Sequence, residues 1–194
     1  LKGSQMKTKS KVYKIATYGG KSSGKTCILA ALTLARPSNP GGFTCTWVAD
    51  KPKSTVPGRP IPPDDPYLAG WNWIHDQRQR LATGQLPESN PVITILKYLF
   101  SITSPIEGIK SIELIDYSGE LVLAGDQLKE NLKRHMRECD GIMILAEVPR
   151  KGMDVTELAI DLENLKQAFS ALLEEKSDGA KQDWPIALIF NKWD

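Results

Sequence analysis

Apolar positions along this chain recur in two spacings, and the spacings alternate. Val12–Tyr18 (VYKIATY), apolar in character and followed by glycines, predicts a strand. Gly24–Ala35 (GKTCILAALTLA) predicts a helix that ends before Pro37. Leu68, Trp71, Ile74 and Leu81 fall at roughly helical spacing and predict a helix over Pro66–Thr83, with Gly84 as its stop. Val92–Ile102 and Ile109–Ile115 predict two strands. The short link containing Ser104, Pro105 and Gly108 makes them an antiparallel hairpin. Leu128, Leu132 and Met136 place a helix over Asp126–Cys139. Gly141–Val148 (GIMILAEV) has the mostly apolar run of a buried parallel strand. The longest stripe, Val155, Leu158, Leu162, Leu165, Phe169 and Leu172, predicts a helix over Asp154–Glu175 that opens on a capping-box pair, Asp154 and Glu157. Pro185–Phe190 (PIALIF) predicts a last buried strand. The expected fold is three-layer α/β, with a mostly parallel sheet and one antiparallel hairpin strand.

One region breaks the alternation. Eight of the chain's 13 prolines fall within Arg36–Pro66. Proline fixes φ and lacks an N–H, which excludes a long helix or a central strand there. A short strand over Phe43–Ala49 (FTCTWVA) is compatible with this, and the rest reads as extended loop. Residues 36–84 are therefore expected to be an insertion. Its tryptophans, Trp47, Trp71 and Trp73, belong either to a partner surface or to a lid packed on the domain by its own aromatics.

Bulk composition narrows the classes. The chain has 194 residues, 41% hydrophobic and 25% charged, as in a soluble globular domain with one core. A formal charge of +2 gives no reason to expect nucleic acid or a membrane surface as partner. No run of about 18 apolar residues is present, so no membrane span is expected. Cys27, Cys45 and Cys139 are widely spaced and odd in number, which argues against a disulfide framework or a zinc site and predicts a reducing, cytoplasmic setting. Leu1–Gln5, ahead of Met6, reads as an expression remnant, leaving 6–194 as a single domain.

Chemistry enters at three short stretches. GGKSSGKT, residues 19–26, fits G-x-x-x-x-G-K-[ST] between a predicted strand and a predicted helix. Backbone N–H groups from Gly20 to Thr26 can converge on a phosphate, and the helix N-terminus adds partial positive charge. Lys25 would reach the β- and γ-phosphates, and the Thr26 hydroxyl would bind Mg²⁺. The expected nucleotide-contacting set is Gly19, Gly20, Lys21, Ser22, Ser23, Gly24, Lys25, Thr26 and Cys27. The second stretch, IELIDYSGE over 112–120, ends a strand in Asp116 and completes a D-x-x-G spacing with Gly119. A carboxylate at a strand's carboxyl end lies where α/β sheets hold ligands, and it can take a water on Mg²⁺. The Gly119 N–H can bond a γ-phosphate, and hydrolysis removes that acceptor. The third, NKWD over 191–194, follows PIALIF. The Asp194 carboxylate can accept from the two donors of guanine, which adenine lacks. Asn191 can bond the base edge, and the Lys192 stem can pack along the base plane. Taken singly, each stretch is also compatible with a plain turn beside a strand. Their order and their flanking elements select the chemical reading.

In that order, GGKSSGKT, DYSG and NKWD resemble the Ras-like, translation-factor-class P-loop GTPases, over Lys11–Asp194 apart from the insertion. The long insertion and the D-x-x-G-E form are also similar to domains of bacterial double-GTPase proteins. The resemblance implies GTP or GDP and Mg²⁺ as ligands, and a protein effector or further domains as partner. It implies a switch I threonine on Mg²⁺ as well. Counting forward from the phosphate loop suggests Thr44 or Thr46. Counting back from Asp116 across the hairpin selects Thr94, the preferred choice because the insertion corrupts the forward count, with Ser89 as a rival.

Glu120 stands where many members of the family carry glutamine. An ionised glutamate accepts a hydrogen bond from water but has no proton to give a phosphate oxygen. With Lys25 and Glu120 as the catalytic candidates, the expectation is a GTP-binding molecular switch with slow Mg²⁺-dependent hydrolysis. The alternatives are a nucleotide-dependent interaction module with little or no hydrolysis, which Glu120 favours, and an ATPase, which NKWD opposes; Glu120 is equally compatible with a helix-start carboxylate that points to solvent. Arg59, Arg78 and Arg80 are available as cations but read as solvated charges. The chain stops at Asp194, and a domain of this kind continues with a strand, a guanine-contacting loop and a helix. The reading is thus of a domain incomplete at its carboxyl end.

Overall fold

A computed structural model describes residues 11–19, 24–34, 44–54, 57–88, 95–104, 106, 108–117, 137–147, 156, 159, 163 and 185–191. Its elements run β1 (Val12–Tyr18), α1 (Lys25–Leu34), β2 (Thr44–Trp47), α2 (Pro66–Ala82), β3 (Ile95–Ser104), β4 (Gly108–Tyr117), β5 (Gly141–Glu147) and β6 (Ile186–Asn191). The six strands form one sheet in the order β2-β3-β4-β1-β5-β6. β4, β1, β5 and β6 are mutually parallel, while β3 runs antiparallel to both β2 and β4. The architecture is mixed α/β with a mostly parallel sheet.

The antiparallel part is larger than one hairpin strand. β2, from inside the proline-rich region, adds to the sheet edge beside β3, with Thr44 opposite Thr103 and Trp47 opposite Phe100. An edge is where a strand flanked by prolines fits, because only one side needs a ladder.

Asp65 opens α2 by accepting from the N–H groups of Tyr67 and Leu68, both at 3.0 Å, with Pro66 in the first turn. Thr83 closes the helix, and Gly84 follows at φ 78°. The fully buried positions of α2 are Gly70, Ile74 and Gln77, and the predicted Leu68, Trp71 and Leu81 are only half-buried. Gly70 has a steric reason. A Cβ there would lie 2.4 Å from the Lys97 carbonyl oxygen, so the helix backbone rests directly on β3. Gln77 accepts from the Glu88 N–H at 2.6 Å.

The core lies between the helices and the sheet. Leu29 and Ala30 of α1, Ile74 of α2, Trp47 of β2, Leu96, Tyr98 and Phe100 of β3 and Leu114 of β4 are all buried there. Around them aromatic side chains of β2 and α2 pack on one another. Trp71 stacks on His75 at 5.2 Å, lies 6.3 Å from Trp47 and donates through its indole N–H to the Ala49 carbonyl at 2.9 Å. Trp47 is buried in the core itself, and Trp71 and Trp73 pack half-buried against it.

The expectation of a buried last strand is corrected. Ile186 and Leu188 on β6 are 57% and 54% exposed. Among the described residues β6 is the outer strand and pairs with β5 alone, so there a run apolar enough for a central strand occupies an edge. The predicted helix 126–139 lies outside the described residues except at its end, where Arg137 is helical. Of the predicted helix 154–175, Thr156, Ala159 and Glu163 are described. All three are helical and exposed, as positions off the apolar stripe should be. No helix among the described residues is long and apolar enough to cross a membrane.

Candidate functional site

Chain order and sheet order diverge around β1. The chain leaves β1 toward β2, β3 and β4, then passes to the other side of β1 for β5 and β6. At such a reversal the connections part, leaving a crevice at the strands' carboxyl ends. The register aligns the candidate residues along that end. Thr17 pairs with Asp116, Tyr18 pairs with Ile144, and Glu147 pairs with Asn191. Because Tyr18 lies level with Ile144 and Leu188, Asn191 stands three residues, about 10 Å, farther out along the strand direction. It also lies two strands to one side, so the end of β6 is offset from the loop after β1 in both directions.

Gly19 leaves β1 and Gly24 enters α1 at φ 82°, a left-handed conformation that residues with a Cβ rarely adopt. The Gly24 carbonyl accepts from the Ile28 N–H at 3.0 Å, the first turn of the helix. That turn contains no acidic side chain. Lys25, its first residue, is 8% exposed and donates from its ammonium to the Gly19 carbonyl. A buried cation is costly, and the positive end of a helix dipole adds to the cost. Thr26 and Cys27 follow half-buried on α1. Burial pushes the Cys27 thiol up from its ordinary pKa, which disfavours a thiolate.

Asp116 is the next-to-last residue of β4 and is 1% exposed. The Thr17 hydroxyl lies 3.3 Å from its Oδ1 and 3.0 Å from the Ile115 carbonyl oxygen. Burial holds the Tyr98 phenol well above its ordinary pKa, and the nearby Asp116 charge adds to the effect. A buried carboxylate, a buried lysine at a helix N-terminus and a glycine in the left-handed region thus gather at one end of the sheet. That donor set fits a magnesium-bound phosphate chain. Asp116 and the Thr26 hydroxyl are hard oxygen donors, and the loop-to-helix junction presents N–H groups and positive charge.

The switch I alternatives separate by register. Thr44 and Thr46 pair with Thr103 and Ser101, whereas Asp116 pairs with Leu96. Ser101 and Leu96 are five residues apart on β3, which puts the nearer threonine about 17 Å from Asp116 along the strand. Neither can share a metal with Asp116 in this arrangement. Thr94 lies outside the described residues, immediately before the strand that reaches Asp116. Gly20, Lys21, Ser22, Ser23, Ser89, Gly119, Glu120, Lys192 and Asp194 also lie outside them, and only the backbone of Asn191 is described.

The three arginines stay apart from the site. Arg59 is exposed, Arg78 lies over the Trp47 ring at 5.8 Å, and Arg80 pairs with Glu88 at 2.8 Å. Sequence reasoning missed Thr17 and Tyr98. The available signal was a polar side chain in VYKIATY directly ahead of the glycines, where an apolar strand has no packing need for one. No protein-family model matches the chain, and no curated protein matches it.

Proposed function

We propose that this chain is a GTP-binding molecular switch that hydrolyses GTP slowly to GDP and phosphate with Mg²⁺. The observation that carries the reading is Lys25, a buried ammonium at the N-terminus of α1, whose first turn holds no acidic side chain. Its ammonium donates to the Gly19 carbonyl at the mouth of the loop, and a bound phosphate would offset both its burial and its place at the positive end of the dipole. Asp116, Thr26 and Thr94 are the residues assigned to the metal. Magnesium, when bound, supplies positive charge to the phosphate oxygens as negative charge builds on them. The loop 19–27 holds the phosphates, and Gly119 reports on the γ-phosphate.

Preference for guanine rests on NKWD at the end of β6, where Asp194 rejects a base that lacks paired donors. Slow turnover rests on Glu120. Its carboxylate stands in for an amide that could donate to a phosphate oxygen, and its charge opposes the phosphates. The same substitution favours a second reading, an interaction module that binds nucleotide with little or no hydrolysis. In both, a protein effector or further domains read the nucleotide state. Three free cysteines fit a reducing cytoplasmic setting.

Competition against a fluorescent guanine nucleotide tests the reading. GTP and GDP should displace the probe with ATP weaker by at least about 100-fold, the discrimination a paired-donor pocket supplies. ATP equal to GTP would sink the guanine assignment. Single-turnover phosphate release in the parent, Glu120→Gln and Glu120→Ala then separates the two readings. Equal rates in all three would remove Glu120 from the mechanism.

A further inference from the structure

The Thr17 side chain of β1 bonds toward Asp116, and packing does not require its hydroxyl. Valine has nearly the same shape and suits a buried strand better. Thr17 is 0% exposed, and a buried hydroxyl is a net cost unless it is bonded. Here it has two acceptors within reach, Ile115 O at 3.0 Å and Asp116 Oδ1 at 3.3 Å. A hydroxyl has a single proton to give. Rotation about the C–O bond turns that proton from the carbonyl to the carboxylate with no heavy atom moving. The backbone of β1 fixes the hydroxyl because Thr17 is held in register with Asp116 in the parallel ladder.

We infer that Thr17 is a positioning residue for Asp116, holding the carboxylate in the orientation in which it takes up magnesium. The inference rests on the nucleotide and metal reading above. A carboxylate at a metal centre is oriented by the hydrogen bonds it accepts, and removing such a partner weakens metal binding about 10- to 100-fold. Tyr98 lies on the same face of the sheet and is buried as well, so the Asp116 carboxylate sits beside buried hydroxyl-bearing side chains rather than in open water. A purely structural threonine would change folding stability and leave the metal alone.

The test is the dissociation rate of fluorescent GDP from the full chain as free Mg²⁺ is varied, in the parent, Thr17→Val and Thr17→Ser. Dissociation from the parent should slow as Mg²⁺ rises. In Thr17→Val the midpoint should move to about tenfold higher Mg²⁺, while affinity in excess chelator stays unchanged. Thr17→Ser should restore the parent midpoint. If Thr17→Val fails a thermal-unfolding check, Thr17→Ala takes its place. A parental midpoint in the valine or alanine variant overturns the inference alone, as does a serine variant that fails to restore it. A parent that binds GDP without any Mg²⁺ dependence overturns the metal reading and the inference together. A parent that binds no nucleotide overturns the proposed function as well.

Discussion

Two buried charged clusters share β4, on opposite faces of the sheet and three residues apart. Around Glu113 the charges close on each other. Its Oε1 lies 3.1 Å from the Lys97 ammonium, in contact though off hydrogen-bond alignment, and its Oε2 accepts from the Tyr67 hydroxyl. The Lys97 ammonium also sits 5.2 Å over the Tyr67 ring. Glu113 is 2% exposed and lies mid-strand, paired across the ladder with Leu99 and Lys14. Around Asp116 the same strand reaches its carboxyl end, where loops begin and a helix N-terminus points. One cluster fastens the N-terminus of α2 to the sheet. The other places charge where a ligand can arrive. Buried charge by itself distinguishes neither; its position along the strand does.

The largest effect should come from breaking the first cluster. Glu113→Ala leaves Lys97 as an uncompensated, mostly buried cation, which costs about 3–5 kcal/mol of stability. Chemical denaturation should show a lower midpoint, with guanine-nucleotide affinity little changed among molecules still folded. Loss of nucleotide affinity with no loss of stability would reverse the roles assigned to the two clusters.

Lys25→Ala should do the opposite. Removing the ammonium should weaken guanine nucleotide binding by about 100-fold or more, the scale of losing one partner of a desolvated charge pair. Nucleotide-free stability should change little, because loss of the bond to the Gly19 carbonyl opposes the relief of a cation at the positive end of a helix dipole. Binding by titration and unfolding by calorimetry give the two numbers. An intact affinity would remove the phosphate-loop assignment.

Much of this contrast was readable beforehand, and the unreadable part has a physical reason. VYKIATY and GKTCILAALTLA announce β1 and α1 because their apolar spacing is local. DYSG at a strand's end announces Asp116 for the same reason. β2 was harder, since TCTW lies in a run of prolines and earns its place only by pairing with distant β3 residues. The buried stripe of α2, Gly70, Ile74 and Gln77, contains a single apolar side chain. Gly70 is buried because it touches the backbone at Lys97, and Gln77 because it bonds Glu88. A hydrophobic pattern cannot report either contact. The Glu113 network escaped for the same reason, because it joins Tyr67, Lys97 and Glu113 from three separate elements.

Outside both clusters, charge should matter little. The Arg80–Glu88 pair at 2.8 Å is 38% and 56% exposed, and Arg80 also donates to the Leu86 carbonyl at 3.2 Å. Arg80→Ala should cost no more than about 1 kcal/mol. A double-mutant cycle with Glu88→Ala isolates the pair, and a coupling well above that value would mean that the segment after α2 is held far more tightly than its exposure implies.

The last effect emerges only at high pH and reaches back to Glu113. Cys139 is 2% exposed, and its thiol pKa is pushed up to about 11 from 9.0, first by burial and then by the charges of Glu113 and Asp140, with Lys14 opposing. The folded state therefore holds the thiol proton more tightly than the unfolded state. The stability this contributes is complete below pH 9 and is lost as pH rises through about 11. A full proton corresponds to about 1.4 kcal/mol per pH unit, and one thiol contributes less than that. Unfolding measured between pH 8.5 and 10.5 should fall more steeply in the parent than in Cys139→Ala. Glu113→Gln removes one of the charges that hold the proton, so its alkylation by iodoacetamide at fixed pH should run faster at Cys139. If the thiol reacts at the same rate in both, burial alone sets its pKa, and the influence of the Glu113 cluster ends at Lys97 and Tyr67.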